Sequence, residues 1–72
     1  MKKIKKIKIK INGNIKIIKE NSRLSHIINT LKIPVKKVAI ELNQEIIDKK
    51  KMSRIILKED DKIEIVHFIG GG

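Results

Sequence analysis

Three consecutive glycines, Gly70, Gly71 and Gly72, close the sequence. A terminus with no Cβ beside it offers an unhindered carboxylate that can thread a narrow channel and adopt φ values closed to other residues. The chemistry open to it is acyl chemistry: activation of the Gly72 carboxylate, then attack on its carbon by a nucleophile. Few other side chains compete for a role. There is no cysteine, which excludes a disulfide framework, a thiolate metal site and a cysteine nucleophile. His26 and His67 lack the spacing of a ligand set. Ser22 reads as a helix cap rather than a nucleophile, and Glu59-Asp60-Asp61 as a solvated turn. No Gly-rich phosphate loop precedes a helix, so the chain is not expected to hold ATP or a metal itself.

The elements that position this end follow from hydrophobic periodicity. Lys6 to Ile11 alternates strictly, placing Ile7, Ile9 and Ile11 on one face and lysines on the other. Asn12-Gly13-Asn14 then favours the positive φ angles of a tight turn, so Ile15 to Lys19 returns antiparallel. Asn21-Ser22 supplies a cap, and Leu24, Ile27, Ile28 and Leu31 form one helical stripe of a helix of about ten residues that Pro34 terminates. Val38, Ile40 and Leu42 make a further strand, Asn43-Gln44-Glu45 a turn, and Ile46-Ile47 a short strand. Residues 48–54 are polar and read as a loop, and Ile55-Ile56-Leu57 as a helical turn or a bridge. Lys62 to Phe68 is the last strand. With Ile63 and Ile65 toward the core, period two leaves Val66 and Phe68 on the open face, next to the tail. An exposed phenylalanine there invites a partner, unless it packs over the 48–54 loop instead.

Seventy-two residues allow one small core, since a chain of this size buries only about 60% of its unfolded surface. The expected organisation is an α+β domain over residues 1–69, in the order ββαββ, with 1–6 as a basic extension and 70–72 as a flexible tail. No apolar run is long enough to span a bilayer and the N-terminus lacks a signal-peptide pattern, which points to the cytoplasm and away from a membrane. The formal charge of +10 could suit nucleic acid. Yet Ile and Lys together fill 34 of the 72 positions, and such a compositional bias is the plainer explanation of the charge. Phe68 is the single aromatic residue, too few for a base-stacking platform.

Three segments carry a family resemblance: Lys-Ile-Lys-Ile-Asn-Gly at 8–13, Val-Ala-Ile-Glu-Leu-Asn at 38–43, and Asp61 to Gly72 with its strand ending in Phe-Ile-Gly-Gly-Gly. From Ile7 onward the chain resembles the ThiS family of thiamine-biosynthesis sulfur carriers, which belongs to the ubiquitin-like β-grasp group. It departs from that pattern at Asp48, where Pro is common, at Met52, where Trp is common, and at Asp60, where Gly is common. The resemblance implies a mixed four- to five-stranded sheet packed on one α-helix. It also implies a non-enzyme whose Gly72 carboxylate is adenylated by a ThiF-like enzyme that uses ATP. Sulfur from a cysteine desulfurase or rhodanese-like donor then gives a thiocarboxylate, which a ThiG-like thiazole synthase consumes. In the tail, Gly71 gives passage and Gly70 is spare length, and Val66, Phe68 and Ile69 are the surface that partners are expected to hold. Molybdopterin synthesis and tRNA thiolation use carriers of the same kind, and a basic nucleic-acid-binding module is the alternative of a different class.

Overall fold

Alternating isoleucines build the sheet, and one apolar helical stripe covers it. The computed structural model describes residues 5–68. Strand β1 (Lys6–Ile11) pairs antiparallel with β2 (Asn14–Lys19), and Ile11 faces Asn14 across a two-residue connection. Asn12 and Gly13 lie at φ +49 and +83, the type I′ geometry whose twist matches the flanking strands. Helix α1 (Leu24–Thr30) follows, then a 3₁₀ turn at Val35–Lys37, β3 (Val38–Leu42), β4 (Glu45–Ile46), a 3₁₀ helix at Lys49–Arg54 and β5 (Lys62–His67). The sheet order is β2-β1-β5-β3-β4. The last strand therefore lies in the middle, parallel to β1 and antiparallel to β3. This is the mixed sheet on one helix that the sequence suggests, with five strands because the two-residue β4 adds a strand after the helix.

The core forms where the three central strands meet the helix. Ile9 of β1, Ile40 of β3 and Ile63 of β5 are fully buried against Leu24, Ile27 and Ile28 of α1, with Val38, Met52 and Leu57 closing the sides. Each such side chain contributes about 1.5–3 kcal/mol on burial. Period two then sends every second residue of each strand to the opposite, solvated face.

Three local expectations are corrected. The helix cap is not Asn21-Ser22: the cap position is Arg23, which makes no side-chain cap bond, while the Ser22 hydroxyl donates back to the Lys19 carbonyl at 2.6 Å. A tertiary bridge replaces the cap. Leu24 N–H donates to Ile55 O at 2.9 Å, Leu57 N–H donates to Ser22 O at 2.8 Å, and Arg23 bridges Ile56, which also settles that 55–57 is a bridge. The helix spans seven residues rather than about ten, because Lys32 already adopts φ +55 and stops it before Pro34 acts. Finally, 48–54 is no plain loop. Asp48 Oδ1 accepts from Lys50 N–H at 2.9 Å and starts a 3₁₀ helix whose Met52 side chain drops into the core.

Candidate functional site

The strand that leads to the C-terminus is held from both sides. On the β3 side, five residue pairs run from Val38↔His67 to Leu42↔Ile63, and Phe68 N–H donates to Lys37 O at 3.0 Å. On the β1 side only Lys10↔Lys62 and Ile11↔Ile63 pair before the hairpin turns away. There the Asn12 side chain takes over the ladder. The Asn12 backbone N–H donates to Ile63 O at 2.9 Å, and its side-chain Oδ1 accepts from Ile65 N–H at 2.7 Å. Asn43 does the same for the start of β5: its N–H donates to Lys62 O at 2.8 Å and its Oδ1 accepts from Lys62 N–H at 2.9 Å, while its Nδ2 donates to Asp61 Oδ1 at 3.0 Å. Both asparagines sit at positive φ, +49 and +52. A turn in the left-handed region, where Asn is tolerated, thus also aims a short amide side chain at the neighbouring strand.

The acidic turn before β5 is wired internally. Glu59 Oε2 accepts from Lys8 N–H at 3.0 Å, Asp61 Oδ2 accepts from Lys58 N–H at 2.8 Å, and Asp60 lies 3.8 Å from Lys8 Nζ. Asp60 has φ +69, which is why a glycine suits that position. Among the described residues no group of three or more His, Asp and Glu side chains is placed to share a metal ion. His26 is exposed on α1, and His67 ends β5.

Of the expected contact residues, Val66 is 51% exposed on the open face, paired with Ala39 of β3. Phe68 is 57% exposed, and Lys49 Nζ stands 5.6 Å from its ring centroid, a cation–π distance. The ring is touched by the 48–54 segment without being covered by it. Ile69, Gly70, Gly71 and Gly72 lie outside the described residues. The basic extension divides: Lys5 and Lys6 join the sheet, with Lys6 opposite Lys19 and Lys5 O accepting from Glu20 N–H, and residues 1–4 lie outside the description.

Sequence reasoning missed two things. The first is the pair of clamping asparagines, although two of the three segments of the family resemblance end on or next to one. The second is the company that Val66 keeps. Register places Ile15 and Ile17 of β2 and Ile46 of β4 on the same open face, and all three are exposed. Among the described residues no helix is long and apolar enough to cross a membrane.

With this geometry, known proteins give a consistent comparison. The Geobacter metallireducens thiamine biosynthesis protein ThiS superposes with a TM-score of 0.80 at 25% identity, covering 92% of this chain and all of that one. The Bacillus subtilis sulfur carrier protein ThiS is 35% identical over 65 residues, covering 89% of this chain and 98% of the relative. A Magnetococcus marinus thiazole synthase is 36% identical over 66 residues, and a Paramagnetospirillum magneticum one 35%. The chain spans about a fifth of the length of those two enzymes, with 92% of its own residues matched. A ThiS family model matches residues 8–72, from β1 through the terminal glycines, and the chain accordingly belongs to the ThiS family.

Proposed function

We propose that this chain carries sulfur for thiamine biosynthesis on the carboxylate of Gly72. The observation that carries the reading is the position of β5. The strand ahead of the Gly run is central in the sheet and clamped by Asn12 and Asn43. Near the end of the described residues, Val66 and Phe68 present exposed apolar surface just ahead of the Gly run in the sequence.

A carboxylate is a poor acyl donor, because attack on it adds a second negative charge and must expel oxide. Adenylation by a ThiF-like enzyme solves this: the carboxylate displaces pyrophosphate from ATP, the terminal sulfur of a persulfide on a cysteine desulfurase or rhodanese-like donor displaces AMP to form an acyl disulfide, and a thiol reductant cleaves its S–S bond, leaving the thiocarboxylate and a disulfide on the donor side. The resulting thiocarboxylate is soft and nucleophilic, and a ThiG-like thiazole synthase draws on it. The two thiazole synthases that contain a segment similar to this chain support that partnership. In this reading the chain works in the cytoplasm as a protein cosubstrate. It supplies no acid, base or ATP site of its own; ATP belongs to the activating partner.

The test is Gly72→Val. Incubated with ATP, a sulfur donor and the activating enzyme, the wild-type chain gains the mass of one sulfur for one oxygen. The variant keeps the far-UV circular dichroism of the wild type and loses ATP–pyrophosphate exchange. Normal exchange with the variant would refute the reading.

A further inference from the structure

The open face of the sheet is divided by charge. Register places Lys6, Lys8 and Lys10 of β1 on it, with Lys19 of β2 directly beside Lys6 and Lys62 of β5 directly beside Lys10. Toward the other side of β5, Glu64 lies directly beside Glu41 of β3. Like charges opposite one another on a sheet are destabilising, and opposite charges in the same places would stabilise it. A face selected for its own stability would interleave the two signs. Among the described residues one ion pair relieves the lysines, Lys8 with Asp60 of the turn before β5 at 3.8 Å, and it is exposed. Lys8, Ile9, Lys10, Asp60 and Lys62 line a shallow depression of ≈ 180 Å³. Exposed Ile15 and Ile17 flank the lysines on the β2 side, and Val66 lies further along β5.

We propose that this lysine strip is a docking surface for a row of carboxylates on the enzyme that activates the tail, a surface that brings Val66 and Phe68 down on the same partner. The inference rests on the carrier reading above and names the chemistry of the surface that meets it. The backbone N–H groups of Lys8, Lys10 and Lys62 are already bound to Glu59, Asp61 and Asn43. The depression therefore lacks the convergent amides that cradle a phosphate and offers mobile ammonium groups, which suit carboxylates spread over a facing surface. The strip also has no aromatic residue on which a base could stack. The charge division orients the encounter as well: a partner with acids over β1 and no acid over Glu41 and Glu64 fits in one direction only.

The test compares two triple variants of equal net charge. One is Lys6→Gln, Lys10→Gln and Lys62→Gln, which spares the Lys8–Asp60 pair; the other is Lys16→Gln, Lys50→Gln and Lys51→Gln, outside the strip. Both are titrated against the activating enzyme by ATP–pyrophosphate exchange from about 0.025 to 0.5 M salt, where the Debye length falls from roughly 20 to 4 Å. The strip variant is expected to raise KM on the order of tenfold at low salt, to leave kcat unchanged, and to flatten the salt dependence. The control variant is expected to shift KM much less. The melting temperature of the strip variant is expected to equal or exceed that of wild type, since like-charge pairs have been removed, so that a weak KM cannot be a folding effect. Equal effects from both variants, or a wild-type KM from the strip variant, would overturn the inference and leave the carrier reading standing. Absence of exchange with the wild-type chain would overturn both. A duplex DNA oligonucleotide is titrated in parallel; binding that the strip variant loses while its KM stays at the wild-type value would assign the strip to nucleic acid and overturn the inference.

Discussion

Removing the Asn12 side chain should loosen β5 more than its exposed position suggests. Asn12→Ala deletes the acceptor for Ile65 N–H, a 2.7 Å bond, at a net cost of about 1 kcal/mol. It also forces alanine to φ +49, about 1 kcal/mol further. The Nδ2 contact to Ile65 O, at 3.5 Å, adds little. The sum is about 2 kcal/mol, against roughly 4–11 kcal/mol for a whole fold of this size. With an m-value of about 1 kcal/mol/M for so small a chain, the urea midpoint should fall by about 2 M at constant m. Far-UV circular dichroism is the readout, since the chain contains no Trp or Tyr. Asn12→Asp keeps the acceptor and a residue tolerated at positive φ, and should cost about 0.5 kcal/mol or less. Amide exchange at Ile65 separates the two effects: the alanine variant should lose protection there and the aspartate variant keep it. Equal midpoints for the two variants, or unchanged protection of Ile65 in Asn12→Ala, would refute the clamp.

Further outcomes follow from the same geometry. Gln44→Gly and Lys32→Gly each relieve a side chain at positive φ, +73 and +55, and each should raise stability by about 0.5–1 kcal/mol, read as a higher urea midpoint; a fall in midpoint for both would show that the strain is absent. Met52→Ala should cost about 2–5 kcal/mol because the side chain is buried among the core residues; a midpoint within experimental error of wild type would mean the 3₁₀ segment is not anchored. Phe68→Ala should leave the midpoint nearly unchanged, the ring being 57% exposed, while raising the KM of activation several-fold. Wild-type KM in that variant would remove Phe68 from the docking surface.

The sequence made the repeating elements legible because their signals are local. Strict alternation from Lys6 to Ile11 and the Asn-Gly pair suffice to draw the first hairpin, and the register confirms it residue by residue. Period two alone puts Val66 and Phe68 on the open face, and both are exposed. The helix start is not legible because Asn21-Ser22 has the composition of a cap, whereas the N–H of Leu24 is met by the carbonyl of Ile55, more than thirty residues away in the chain. Such a partner leaves no trace in a local window. The 48–54 segment is hidden for a related reason. One buried methionine among lysines is too weak a periodicity to mark a helix, yet it is enough to fix one once Asp48 caps it. The division of charge across the open face was hidden because it is a property of strand order, and strand order exists only after the last strand has inserted between the first and third.

That insertion has a mechanical consequence. The inter-strand bonds of a sheet run across the strands, so a pull along β5 loads the bonds to β1 and β3 together, in shear, instead of peeling them one at a time as it would at an edge. Tension on the chain beyond Phe68 is met by both neighbours and by the amides of Asn12 and Asn43. If the chain is the carrier proposed above, an activating enzyme that draws its terminus into a channel pulls against a firm anchor, and the work of threading goes into seating the terminus rather than into unravelling the sheet.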